Sequence, residues 1–317
     1  MIRAPVSSQI LFMKPANSFL SLIFCLSVAV FAHAQETDST GLPGDNFSLQ
    51  GALEMFKKAS SPEEFEKLIN EKDNGVNNLD LNEDGETDYI RVIDKSEKDA
   101  HAFILQVPVS ASESQDVAVI ELEKTGDETA NIQIVGDEDI FGEEVIAEPD
   151  GGGDESSYMD TDNQFAVAHG PSAGYVPFDT RIVVNVWLWP AVRFVYRPAY
   201  TVWVSPWRWH NYPGWWRPWR PLGWFAYRPL RVRYYHPYVI VHTHRLGYAH
   251  RIYRPARVTS VTVRTRHAVA VNNYRVTRKS TTITGPRGNQ VNRKTTTVRG
   301  PGGHTRMRST KTTVRHR

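Results

Sequence analysis

Residues 89–135 read YIRVIDKSEKDAHAFILQVPVSASESQDVAVIELEKTGDETANIQIV, and the pattern within them decides the fold class. Tyr89 to Ile93, Ala102 to Val107, Val117 to Leu122 and Ile132 to Val135 are β-branched or aromatic runs of strand length. Asp94 to Asp99, Ser110 to Ser114 and Thr125-Gly126-Asp127 separate them as turn material. Connections this short join antiparallel neighbours. Towards the N-terminus, Ser48 precedes Leu49, Ala52, Leu53 and Phe56, an apolar face at helical spacing, with Lys57 and Lys58 suiting its C-terminal end. Ser61 predicts the N-cap of a second helix, with Pro62 at its first position and Glu64 closing a capping box. Phe65, Leu68 and Ile69 form its apolar stripe, and it should end near Asp73-Asn74-Gly75. The expectation is an acidic α+β domain over residues 46–149, two helices packed on one face of a four-stranded antiparallel meander.

Towards the C-terminus the composition changes. Residues 150–180, with Gly151-Gly152-Gly153, read as a linker. Residues 187–253 then hold 20 aromatics and all nine tryptophans. Prolines at 190, 198 and 206, and again at 221, 229 and 237, predict short extended segments broken by turns. From 258 the chain is rich in Thr, Val and Arg, and Lys279-Ser-Thr-Thr returns as Lys294-Thr-Thr-Thr and Lys311-Thr-Thr. The two regions, 181–257 and 258–317, are expected to form an extended, partly disordered Arg/aromatic-rich β-type tail.

The formal net charge of +2 over 317 residues hides a segregation. All 35 acids lie between Glu36 and Asp179, and residues 36–180 balance at −27. Residues 181–317 contain 27 Lys plus Arg, 24 of them Arg, and no carboxylate side chain. Carboxylate-dependent chemistry is therefore disfavoured in the second half. Its field must be neutralised by counter-ions, by the acidic domain or by an external polyanion.

Residues 13–34, MKPANSFLSLIFCLSVAVFAHA, have the layout of a secretory signal: Lys14, an apolar run from Phe19 to Ala32, and Ala32-His33-Ala34 as the cleavage site. Residues 1–34 are assigned to it and 35–45 to a flexible leader, with Met1 and Met13 both left as candidate starts. The apolar run is shorter than the roughly 20 residues a spanning helix needs. Cys25, the sole cysteine, lies within it, so the mature chain is expected to have no disulfide and no thiolate metal site.

The sharpest local motif is Leu79-Asp-Leu-Asn-Glu-Asp-Gly-Glu-Thr-Asp-Tyr-Ile90. Asp80, Asn82 and Asp84 at alternate positions, Gly85 for the turn, the Glu86 carbonyl and Asp88 predict a calcium loop of structural role. The loop resembles those of dockerin, EF-hand and FG-GAP proteins. It departs from the EF-hand with Arg91 at position 12, and the strand that comes next fits the FG-GAP type better. An ion-free Asp/Asn turn is the competing reading. The acidic stretch 136–144 reads as a solvated turn. Gly170-Pro-Ser-Ala-Gly174 matches the serine-nucleophile pattern, but Pro171 and Pro177 flank it, no helical run follows and Asp179 is the only acid downstream, so it is read as a linker coincidence. His242 and His244, with His236 and His250 nearby, have no neighbouring carboxylate in sequence and are read as polar or stacking histidines. Trp207, Arg208, Trp209, Trp215, Trp216, Arg217, Trp219 and Arg220 place indoles beside guanidinium groups. This pairing suits phosphates, carboxylates and stacked rings, and it equally suits a self-packed unit of Arg–Trp stacks.

The combination of NFSLQGALEMFKKASSPEEFEKLIN, VNNLDLNEDGETDYIRV and VNVWLWPAVRFVYRP resembles a family of exported proteins of Bacteroidetes-type bacteria. The resemblance implies a cell-envelope location and supplies no chemistry. The expectation from these readings is a non-enzymatic envelope protein, periplasmic, outer-membrane-associated or extracellular. Its basic aromatic tail would adhere to lipopolysaccharide, acidic polysaccharide or extracellular nucleic acid. Self-association through acidic and basic halves is one alternative. The other is a carbohydrate-active or other hydrolase using carboxylates of the acidic domain.

Overall fold

The computed structural model describes residues 39–151, 183–241, 243–284, 290–299 and 305–314. The expected signal segment, most of the expected linker and the Gly170–Gly174 motif lie outside the described residues.

Helices α1 (Leu49–Lys58) and α2 (Pro62–Ile69) form where their caps predict. The Ser48 hydroxyl accepts from the Gly51 N–H at 3.0 Å and the Ser61 hydroxyl from the Glu64 N–H at 3.2 Å. The Glu64 carboxylate reaches one residue further back than a capping box requires, accepting from the Ser60 N–H at 2.8 Å. A 3-10 turn at Lys72–Asn74 closes on Gly75, whose φ of 59° is one a side chain rarely adopts.

The sheet is larger than the expected meander. Strands β1 (Arg91–Glu97), β2 (Ala100–Pro108), β3 (Ser114–Gly126) and β4 (Thr129–Gly136) overlap the apolar runs. However, β1 starts at Arg91 and runs through most of the turn expected at Asp94–Asp99, and β3 runs to Gly126, leaving turns of Lys98–Asp99 and Asp127–Glu128. Helix α3 (Glu138–Phe141) and strand β5 (Val145–Pro149) follow, and the aromatic tract supplies α4 (Pro190–Val195), α5 (Trp224–Val232) and a sixth strand, β6 (Tyr238–Val241). The order is β1-β2-β3-β4-β5-β6, antiparallel throughout. The fold remains α+β, but the four-stranded sheet with a separate extended tail is overturned. The 136–144 stretch is likewise not a solvated turn: Asp137 caps α3 by accepting from the Asp139 N–H at 2.9 Å and is buried.

The reason for the larger fold lies in β2, which is buried along its whole length. A strand covered on both faces reads as a continuous apolar run. One face of the sheet, with Phe103, Leu105, Ile120 and Ile134, packs on Leu53, Phe56, Phe65 and Ile69 of the two N-terminal helices. The opposite face presents Ala102, Ile104, Val119, Val135 and Ile146, and the tail covers it. Helix α6 (Gly247–Tyr253) lies there with Tyr253 and Ile252, beside Val239 and Val241 of β6. The result is three layers. Val186, Ala191, Val192, Val195 and Ile240 of the tract enter the first core as well.

The β1 edge of the sheet is covered as well. Asp94 N–H donates to the Trp203 carbonyl at 2.8 Å and Ser205 N–H to that of Val92 at 3.0 Å, so residues 203–205 lie along β1. Arg231 of α5 is fully buried and donates to the Asp45 carbonyl at 2.7 Å, pinning that helix to the 3-10 turn Pro43–Asn46. Prolines in the tract also depart from the strand-breaking role: Pro190 opens α4 and Pro229 sits inside α5.

Beyond these come α7 (Val261–Arg266), α8 (Ala268–Asn273) and a separate antiparallel sheet of β7 (Arg275–Thr284), β8 (Gln290–Arg299) and β9 (Thr305–Val314). Each of the three Thr-rich repeats lies on one of its strands, with Lys294 opposite Ser280 and Lys311 opposite Arg293. Among the described residues, no helix is long and apolar enough to cross a membrane.

Candidate functional site

The covering tract meets the acidic domain through buried carboxylates. Glu66, 2% exposed, accepts from the Tyr89 hydroxyl (2.8 Å), the Val92 N–H (2.8 Å), the Ser205 hydroxyl (2.9 Å) and the Trp203 indole (3.3 Å). Burial outweighs those four donors and pushes its carboxyl above the usual carboxylate range. Asp94 takes the Tyr200 hydroxyl at 2.7 Å and His101 Nδ1 at 3.0 Å. Asp116 takes Gln106 Nε2 (2.6 Å), the Val258 N–H (2.8 Å) and the Tyr253 hydroxyl (3.3 Å), and burial pushes it up to about 6. Asp137 pairs with Arg257 through Nε at 2.6 Å and Nη2 at 2.9 Å, a fork that holds the guanidinium well above its ordinary pKa. Glu123 accepts from the first-turn N–H groups of Tyr248 and Ala249, both at 2.8 Å, and so caps α6.

While Arg231, Arg245 and Arg257 of the tract turn inward or pair with acids, three others face out. Arg208, Arg217 and Arg220 are exposed and, among the described residues, form no ion pair with a carboxylate. Arg217 Nη1 reaches only backbone carbonyls, Trp216 at 2.7 Å and Gly214 at 3.3 Å. The indoles are anchored instead by aromatic neighbours. Trp216, 2% exposed, packs at 5.1 Å from Tyr89, 4.6 Å from Tyr212 and 6.0 Å from Trp219. Trp207, Trp209 and Trp219 are half-buried, and Trp215 is 47% exposed with Lys67 Nζ 5.9 Å from its ring. Among the described residues, none of the three arginines stacks on a tryptophan of this tract. Trp203, Trp207, Trp215 and Tyr89 line a pocket of about 280 Å³ together with Ser61, Glu63, Glu64, Glu66 and Lys67.

The predicted calcium loop abuts this surface, since the Thr87 N–H donates to the Trp219 carbonyl at 2.7 Å. Asp80 accepts from the Asp84 (3.1 Å) and Gly85 (2.9 Å) N–H groups, Asn82 from Asp84 N–H (3.1 Å), and Asp84 from Glu86 N–H (2.9 Å). Gly85, at φ 86°, makes the turn, and Glu86 is exposed. Asp88 is buried, accepts from the Leu81 N–H at 2.6 Å, and is pushed up to about 8 by burial and by Asp80 and Asp84. The loop has the expected inward turn, closed by its own N–H groups. Its carboxylates do not bring ligand atoms within 4.8 Å of one another as a group of three.

Another site answers the histidine motif differently from its sequence reading. His242 lies outside the described residues and His236 is exposed. His244 and His250, however, converge on Glu121 of β3, the carboxylate absent from their sequence neighbourhood. Glu121 is visible in sequence as an acid inside the apolar run Val117–Leu122, where a buried carboxylate needs a partner. No family model, no curated protein and no solved structure matches the chain.

Proposed function

We propose that the protein is a non-enzymatic exported envelope protein whose basic aromatic surface, residues 203–220, adheres to anionic polymers. Lipopolysaccharide phosphates, acidic polysaccharide and extracellular nucleic acid share the chemistry it would recognise. The observation that carries this reading is the outward placement of Arg208, Arg217 and Arg220, without an ion pair among the described residues, beside half-exposed indoles. Exposed guanidinium groups pair with phosphate or carboxylate, and Trp215 offers a ring face for stacking. The hydrolase alternative is weaker because the buried acids Glu66, Asp94, Asp116 and Asp137 are already engaged by donors of the cover.

Full chain titrated against each polymer at several salt concentrations should bind with an affinity that falls steeply with salt. Arg208→Gln/Arg217→Gln/Arg220→Gln should flatten the slope of log K against log salt by roughly 2–3 if each arginine meets one phosphate. Trp215→Ala should weaken binding with the slope unchanged. Salt-independent binding, or a triple variant indistinguishable from wild type, would contradict the reading. Calcium at Asp80, Asn82, Asp84, Glu86 and Asp88 belongs to the same proposal as a structural ion. It is supported by the spacing of the ligand residues along the loop. Melting in calcium against chelator should show a stabilisation that Asp80→Ala/Asp84→Ala abolishes.

A further inference from the structure

We propose that Glu121, His244 and His250 form a binding site for a first-row transition-metal dication of the zinc type, separate from the Asp80–Asp88 loop. The three ligand atoms come from β3, from the segment after β6 and from α6. All lie within 4.8 Å of one another. Glu121 is fully buried, and each of its oxygens faces one imidazole: Oε2 to His244 Nε2 at 2.5 Å and Oε1 to His250 Nδ1 at 2.8 Å. The two rings meet edge to face with centroids 4.0 Å apart. Tetrahedral bonds of about 2.0–2.1 Å set ligand atoms roughly 3.3 Å apart, so an ion enters as each imidazole nitrogen draws back from its carboxylate oxygen by less than about 1 Å.

The surroundings hold these ligands in place. Gln133 lies directly across from Glu121 on β4 and brackets His244 from both sides. Its Oε1 accepts from the Arg245 N–H at 2.8 Å and its Nε2 donates to the Thr243 carbonyl at 3.0 Å. Glu148 takes Gln133 Nε2 at 2.8 Å and Arg245 Nε at 3.2 Å, fixing the bracket in turn. Glu123 caps the helix that carries His250. These contacts fix the backbone on which His244 and His250 stand. No Arg or Lys reaches Glu121 among the described residues, and side-chain exposures of 24% for His244 and 15% for His250 leave a path for entry and a position for water. Two imidazoles and one carboxylate select zinc, copper, nickel or iron over calcium and magnesium, which prefer all-oxygen shells.

The test uses the full chain, stripped with chelator and titrated with zinc by calorimetry and with cobalt by visible absorption. One saturable equivalent is expected, with a cobalt ligand-field band of an imidazole-bound ion and no competition from excess magnesium. His244→Ala/His250→Ala, both partly exposed and checked for fold by circular dichroism, should weaken zinc binding by about 100-fold or more. Glu121→Gln should do the same. Asp80→Ala/Asp84→Ala should leave it unchanged, and polymer binding measured on the same samples separates this site from the arginine surface. Absent saturable binding, binding undiminished in the double-histidine variant, or binding lost in the Asp80/Asp84 variant would each overturn the proposal.

Discussion

A chain that ends at Gly151 is expected to lose its cooperative fold, although it keeps both N-terminal helices and five of the six strands. Truncation uncovers the sheet face of Ile104, Val119, Val135 and Ile146, which is sealed by Val239, Val241 and Tyr253 of the tail. It also removes Val186, Val192, Val195 and Ile240 from the other core and leaves β5 without its β6 partner. Burying one such side chain stabilises by about 1.5–3 kcal/mol, so the first four alone contribute roughly 6–12 kcal/mol. That matches the whole stability of an ordinary domain, about 5–15 kcal/mol. Thermal melts by circular dichroism, together with gel filtration, should show a broad or absent transition and aggregation. A cooperative melt within a few degrees of the full chain would show that the tail is dispensable to the fold.

The point change expected to cost most is Glu66→Ala. It leaves the Tyr89 hydroxyl, the Val92 N–H, the Ser205 hydroxyl and the Trp203 indole without their acceptor at a buried seam. Each orphaned donor costs about 1–3 kcal/mol, and because neighbours relax together the total is roughly 3–5 kcal/mol. The melting temperature should fall by about 10 °C. Residues 203–205 should lose hydrogen-exchange protection first, since they hold the β1 edge through the same seam. Glu66→Gln keeps the shape and should cost less. It should also change the pH dependence. Because burial raises the folded-state pKa of Glu66, its protonated form contributes stability that is complete below the ordinary carboxyl pKa and is lost as pH rises through the raised value. Glu66→Gln removes that decline, so its deficit relative to wild type should narrow with rising pH. A deficit that widens would contradict the assignment.

The first half of the fold was legible because its signals are local. Ser48 caps α1, Ser61 caps α2, and the four apolar runs fall on β1 to β4. The second half depends on long-range pairing. Val145–Pro149 and Tyr238–Val241 are short apolar runs that become strands through one another, with Ile146 opposite Val241 and Ala147 opposite Ile240. A signal was present in β2: Ala102 to Val107 has almost no polar alternation, as a strand covered on both faces requires. Glu121 carried a similar one. Charge segregation leaves open whether counter-ions, the acidic domain or a polyanion neutralises the basic half, and the structure turns Glu66, Asp116 and Asp137 inward against the tract. What sequence alone could not supply is which acid meets which donor: Glu66 and Ser205 are 139 positions apart, and Glu121 and His250 are 129 apart.

The acidic and basic halves form one folded body within a single chain, with Arg208, Arg217 and Arg220 left on its surface. A specific protease site placed within residues 152–182 tests it directly. After complete cleavage, the two fragments should co-elute as a 1:1 complex, with the melting transition retained. They should still do so at high salt, since the seam is apolar and hydrogen-bonded as well as charged, and should part only in denaturant. Fragments that separate in native buffer, or that hold together at low salt and part as salt is raised, would contradict it.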